Sequence, residues 1–169
     1  QLVGIKSAIS GYMGGNAALA TYENVCSGES GHAEVVQLTF DTTQISAREI
    51  LEVFFTLHDA TQLNRQGNDI GTQYRSAIFY HSKVQQELAL EVITEIDASD
   101  MFNEVVVTEV TEASVFFSGE KFHQNYYSNN PKTPYCQVII SPKLAKFRQT
   151  FVSKLKPVAY GVEPIAAVG

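Results

Sequence analysis

The residues best suited to chemistry gather in Gln66–Ser76, which reads Gln-Gly-Asn-Asp-Ile-Gly-Thr-Gln-Tyr-Arg-Ser. Asp69 offers a carboxylate acceptor, and Tyr74 a phenol that both donates and accepts. A loop this polar and glycine-rich is costly to order, yet apolar segments flank it, Ile50–Leu57 before and Ala77–Tyr80 after. Gly67 and Gly71 suggest backbone angles that a side chain forbids, or the close approach of a ligand. A plain surface turn entering a strand is the alternative. A second polar stretch, Thr21–Glu34, carries Gly28 and Gly31 and leads into the apolar run Val35–Phe40. Glu34 therefore stands at a strand's entry, where a carboxylate can point into a cleft. An exposed strand-end charge is the competing reading.

The two cysteines, Cys26 and Cys136, form no Cys-x-x-Cys pair. Nor do they have zinc-like spacing with the histidines His32, His58, His81 and His123. Either could be a redox thiol, but free cysteine is also a common core residue, and both are expected to be buried and inert.

Positioning these groups falls to one domain, the natural expectation for 169 residues. A chain of this size buries roughly 70% of its unfolded surface and needs neither metal nor disulfides to hold a core. The domain is expected over 1–156, with an irregular tail over 157–169. The net charge of −6 argues against a nucleic-acid partner. No apolar run is long enough to span a membrane, and no signal peptide is visible. A cytoplasmic location is expected, with the periplasm left open.

A turn at Val3–Gly4 and a strand up to Tyr12 are expected first, then a loop over Asn16–Tyr22 and a buried strand at Val35–Phe40. Ser46 with Glu49 forms a capping box, and Ile50, Leu51, Phe54 and Phe55 give Ser46–His58 a helical stripe. Ala60–Tyr74 is a long loop, of a length that usually signals function. A strand at Arg75–Tyr80 and a helix at Lys83–Ala98 follow. Val105–Val110 reads as a strand, Ser114–Phe117 as extended and Glu120–Tyr127 as a short helix. Asn129–Pro134 is a turn. Gln137–Ile140 reads as a strand or extended piece, and Pro142 opens a last helix, Lys143–Lys156. Alternating strands and helices imply an α/β or α+β sandwich with a mixed sheet.

Several motifs occur in order: Gly11-Tyr-Met-Gly-Gly15, Tyr22-Glu-Asn-Val-Cys-Ser-Gly28, Gly31-His-Ala-Glu34, His58-Asp59, Gln66–Ser76, His123-Gln-Asn-Tyr126 and Tyr135-Cys136. In series they resemble the A-type peptide-methionine sulfoxide reductases, over nearly the whole chain. The resemblance implies a two-layer sandwich on a ferredoxin-like core. It implies reduction of methionine S-sulfoxide, free or in proteins, to methionine, which repairs oxidative damage. In that family a cysteine thiolate attacks the sulfoxide sulfur while an acid protonates the departing oxygen. Glu34 matches the acid, whose pKa must be raised for work near neutral pH. Tyr22 and Tyr74 match phenols that hydrogen-bond the oxygen, and Asp69 a carboxylate that organises the site. Tyr126 and Tyr135 match site-lining tyrosines. Cys136 matches the resolving cysteine, whose disulfide thioredoxin or another dithiol reopens. No metal or other cofactor is implied. Cys26 matches a cysteine without assigned chemistry.

The sequence departs from the family in one serious way. The family's nucleophile lies in Gly-Cys-Phe-Trp, and by motif spacing it would precede Gln1. No tryptophan occurs anywhere in the chain. The first core strand and the start of the first helix are expected to be missing with it, and the 169-residue chain is expected to be inactive. Ala60 stands where proline is usual, and the tail adds no further cysteine. A non-catalytic module that binds methionine or its sulfoxide, and a purely structural domain, are the other readings.

Overall fold

Small and apolar residues alternating from Ile5 build strand β1, Ile5–Met13. The turn expected before it is present, with Gly4 at a φ of 86°. The computed structural model describes residues 1–157, so the tail expected beyond them lies outside the described residues. The loop expected over Asn16–Tyr22 holds one tight turn, Ala17–Leu19, and the polar stretch after it opens with a short helix, α1, Tyr22–Cys26. Strand β2, Ala33–Phe40, then returns antiparallel to β1 and sets Tyr12 opposite Glu34.

Helix α2, Ala47–Leu57, begins as expected on the Ser46–Glu49 capping box, with both halves formed. The Lys154 ammonium, 2.6 Å from Glu49, and the Ser46 amide hold the Glu49 carboxyl at a pKa of about 2. Ser46→Ala removes the acceptor for the Glu49 N–H. It should cost about 1 kcal/mol, read as a lower urea midpoint at unchanged slope.

The long polar loop is more structured than expected. It folds as a two-residue hairpin, β3 (Arg65–Gln66) against β4 (Asp69–Ile70), followed by a tight turn over Thr72–Tyr74. Gly67 and Gly71 do sit at positive φ, 60° and 150°. A Cβ on Gly71 would fall 2.2 Å from the Gln73 side-chain oxygen.

Strand β5, Ala77–Tyr80, and helix α3, Lys83–Asp97, follow. The next strand, β6, is Glu109–Glu112, parallel to β5 and later than the expected Val105–Val110. The reason lies in the backbone. Asp97 takes the Val106 N–H at 2.8 Å and the Ala60 carbonyl takes that of Val107 at 2.9 Å, so these amides are committed before the ladder starts. Strand β7, Phe117–Ser118, joins the free side of β1.

The helix expected over Glu120–Tyr127 is two pieces, a turn at Lys121–His123 and helix α4, Tyr126–Asn129. Asn125 divides them in a left-handed conformation, φ 52°. The extended segment expected at Gln137–Ile140 is instead a π-helical stretch, Cys136–Ile140, that runs into α5, Ser141–Thr150. Its β-branched residues favour a strand, but the backbone is committed to helical bonds. Gln137 donates to the Thr133 carbonyl at 3.0 Å, and the Ser141 hydroxyl to that of Cys136 at 2.9 Å. Pro142 lies in the first turn of α5 as expected.

The α+β fold class is as expected, while its strands fall into separate small sheets: antiparallel β2–β1–β7, the hairpin β3–β4, and parallel β5–β6. Two buried clusters support them. One joins Leu2, Ile45, Phe147, Phe151 and Leu155; the other joins Phe55, Ala60, Val92 and Ile96. Strands β2 and β5 each have an unpaired outer edge, and both line one cavity of about 970 Å³. Its wall includes apolar side chains of β2 left open, such as Val36 at 58% exposure.

Candidate active site

The cavity collects groups from distant parts of the chain. β2 supplies Glu34 at its start, β1 supplies Tyr12 opposite it, and the hairpin loop supplies Asp69 and Tyr74. Tyr135, just ahead of the π-helical stretch, reaches across and donates its hydroxyl to Asp69 at 3.3 Å. The positive φ at Gly67 and Gly71 lets the chain turn twice around Asp69, which answers why this loop is glycine-rich.

The electrostatics follow from this crowding. Glu34 is exposed where it borders the cavity, and its carboxyl is only partly shielded from water. Loss of water there raises its pKa above the usual carboxylate range, and the nearby Asp69 charge adds to the effect. Burial raises the Tyr74 pKa, with Glu34, Cys26 and Asp69 adding to the shift. Burial and the Asp69 carboxylate push Tyr135 up to about 12. The Cys26 thiol is the first cause of a raised pKa at Tyr22, with Tyr74 and Glu34 contributing. Glu34, Asp69, Tyr22, Tyr74 and Tyr135 are therefore one electrostatic neighbourhood.

Other groups fall elsewhere. Tyr126 is half-buried in α4 and is not among the cavity's lining residues. Cys136 is buried, as expected of a core cysteine. Cys26 corrects the same expectation: its residue is exposed. It lies at the end of α1, near the phenols: Val25 takes the buried side of the helix, and the next residue turns about 100° away from it. His58 is occupied structurally, with Nδ1 2.6 Å from the Phe54 carbonyl and Nε2 2.8 Å from the Ser76 hydroxyl. His32 likewise accepts the Gly15 N–H at Nδ1, 3.1 Å away, and faces the Asn16 carbonyl through Nε2. Among the described residues, no group of three or more His, Cys, Asp or Glu could hold a metal ion.

Sequence reasoning missed Tyr12 and Glu120. The Tyr12 hydroxyl donates to Glu120 at 2.6 Å, and burial, Glu120 and Glu34 together raise its pKa. Tyr12 was visible only as part of a glycine motif, and Glu120 had no pattern around it.

An acid with a raised pKa, a second carboxylate and several phenols around one cleft of an α+β domain can protonate and hydrogen-bond a polar substrate oxygen. The family model described as "Peptide methionine sulfoxide reductase" matches residues 1–155. A peptide methionine sulfoxide reductase MsrA of Deinococcus radiodurans is 48% identical, over 92% of this chain and 76% of the relative. One from Saccharolobus solfataricus is 49% identical, over 92% of this chain and 87% of the relative. The crystal structure of reduced Mxr1 from Saccharomyces cerevisiae superposes with a TM-score of 0.74 at 31% identity, covering 79% of this chain and 76% of that one. Methionine sulfoxide reductase A of Corynebacterium diphtheriae gives 0.65 at 31% identity, covering 78% and 68%. The chain belongs to the peptide methionine sulfoxide reductase family.

Proposed function

We propose that the cleft binds methionine sulfoxide by its oxygen and serves the reduction of the sulfoxide to methionine. The observation that carries this reading is the convergence of Glu34, Asp69, Tyr74 and Tyr135 on one cavity, with the Glu34 pKa raised. In this reading the Tyr22 and Tyr74 phenols donate to the S=O oxygen. Asp69 organises the site through Tyr135. A thiolate attacks sulfur, the S–O bond breaks, and the oxygen takes a proton from Glu34. The attack forms an S–S bond; the hydroxide just released then adds to the attacking cysteine's sulfur and that S–S bond breaks, so the substrate leaves as the thioether and the cysteine becomes a sulfenic acid. Condensation with the Cys136 thiol releases water and forms a disulfide, which thioredoxin or another dithiol reduces. Cys136 is buried, so this last role requires the π-helical stretch Cys136–Ile140 to open.

The family's attacking cysteine, within Gly-Cys-Phe-Trp, does not occur in this sequence. The 169-residue chain is therefore expected to bind a methionine S-sulfoxide peptide without turning it over in dithiothreitol. Calorimetry reads the first half and chromatography of the peptide the second. Equal binding of the same peptide with plain methionine removes the sulfoxide reading. Methionine as product places the attack on Cys26 or Cys136.

A further inference from the structure

Helix α1 places Tyr22 and Cys26 beside the cleft, outside its lining but near enough for Tyr74 and Glu34 to act on the Tyr22 phenol, yet it is five residues long. A helix this short has no stability of its own, so tertiary contacts must fix its place. Its own cap is idle: Thr21, at the N-cap position, makes no side-chain capping bond. The acceptor comes instead from far along the chain. One oxygen of Glu120 takes the Tyr22 backbone N–H at 2.8 Å, and the other takes the Tyr12 hydroxyl at 2.6 Å. At the far end of α1, the Gln73 amide donates to the Cys26 carbonyl at 3.2 Å. The residues around Glu120 hold the Tyr22 ring as well. Phe122 meets it edge-on with centroids 5.5 Å apart, and His123 lies 5.0 Å away.

We propose that Glu120 is a positioning residue of this site, holding the start of α1 and the Tyr12 hydroxyl with one carboxylate so that the Tyr22 phenol faces the sulfoxide oxygen. Tyr12 stands opposite Glu34 across the β1–β2 ladder, so the same carboxylate sets α1 against the strand pair that carries the acid. Glu120 is not among the residues lining the cavity; besides these two partners its carboxylate lies 4.0 Å from Nε2 of His123, whose ring neighbours that of Tyr22. Against the upward push of burial, the Tyr12 hydroxyl and the Tyr22 N–H hold the Glu120 pKa below its ordinary value. The assignment of Tyr22 to the oxygen rests on the function proposed above; the placement of α1 by Glu120 does not.

The test therefore has two arms on the full chain. In the ligand-free protein, Glu120→Ala should abolish the nuclear Overhauser contacts between the Tyr22 and Phe122 rings. Glu120→Gln, which keeps one acceptor of the same shape, should restore them in part. Contacts that persist in Glu120→Ala overturn the proposal. In the second arm, binding of a methionine S-sulfoxide peptide is compared with its methionine counterpart. Glu120→Ala and Tyr22→Phe should each reduce the preference for the sulfoxide by about tenfold, one hydrogen bond's worth. The double variant should lose no more than either alone, because both remove the same bond. A preference that Glu120→Ala leaves intact, or losses that add, overturns the proposal even in a folded variant. A wild-type chain with no preference removes the functional reading, and the first arm then still decides the placement. Should Glu120→Ala fail to fold, Glu120→Leu, which keeps the bulk but no acceptor, is read in both arms, and wild-type contacts and preference there overturn the proposal.

Discussion

Replacing Glu34 by Gln should slow sulfoxide reduction by about a hundredfold or more, the ordinary cost of losing a positioned proton donor. The measurement needs an attacking thiol, so it belongs in a chimera with the N-terminal segment of the Deinococcus radiodurans relative ahead of Gln1. Sulfoxide oxygen leaves only after gaining a proton. The amide of Glu34→Gln keeps the size and one hydrogen bond of the wild-type side chain but has no proton to give. A near-normal rate takes Glu34 out of the acid role. The pH profile supplies a second check. Burial and the Asp69 charge raise the Glu34 pKa, so its protonated form survives above the usual carboxylate range. The wild-type rate should fall as pH rises through that raised value, and this limb should vanish in Glu34→Gln. Stability should move the other way. The fold disfavours the charged carboxylate, so Glu34 contributes most to stability below its unfolded pKa, and that contribution is lost as pH rises through the folded one. At neutral pH, Glu34→Gln should therefore melt higher than wild type. The difference should disappear in acid, where Glu34 is protonated in both states.

How much of this was legible beforehand depended on whether the signal was local. The Ser46–Glu49 capping box and the two glycines around Asp69 announce themselves within a few residues, and both behave as read. Glu34, Asp69, Tyr74 and Tyr135 are picked out by motifs in series rather than by spacing, and all four line the cavity, whereas Tyr22 and Tyr126, picked out the same way, do not. What failed was mostly non-local. Gln137–Ile140 has the composition of a strand, but hydrogen bonds from Thr133 through Ser141 commit it to a helical path. β6 starts late because Asp97 and Ala60 take the amides of Val106 and Val107. Cys26 was expected in the core because cysteine usually is. It stays outside because α1 gives its buried side to Val25, and Cys26 follows on the open side, which composition alone does not reveal.

Phe55→Ala should be the most costly single truncation in the core, about 3–5 kcal/mol, enough to consume much of a typical domain's stability. Phe55 is only 1% exposed and sits in the cluster with Ala60, Val92 and Ile96, between α2 and α3. Its ring lies edge-on to Phe54 with centroids 5.0 Å apart and stacks on His58 at 6.1 Å. That second contact ties the core to the cleft. His58 bonds the Ser76 hydroxyl at 2.8 Å, and Ser76 meets the Thr108 hydroxyl at 2.7 Å, just where β5 and β6 begin. Truncation removes the ring against which His58 is packed, so the chain from helix to strand loosens together. Denaturant unfolding reads the first effect. Faster amide exchange at Glu109, whose N–H bonds the Ser76 carbonyl at 3.0 Å, reads the second. A loss below about 1 kcal/mol, within the ordinary range of single substitutions, would mean that α2 and α3 close over the vacated space and that this cluster does not hold the cleft's far wall in place.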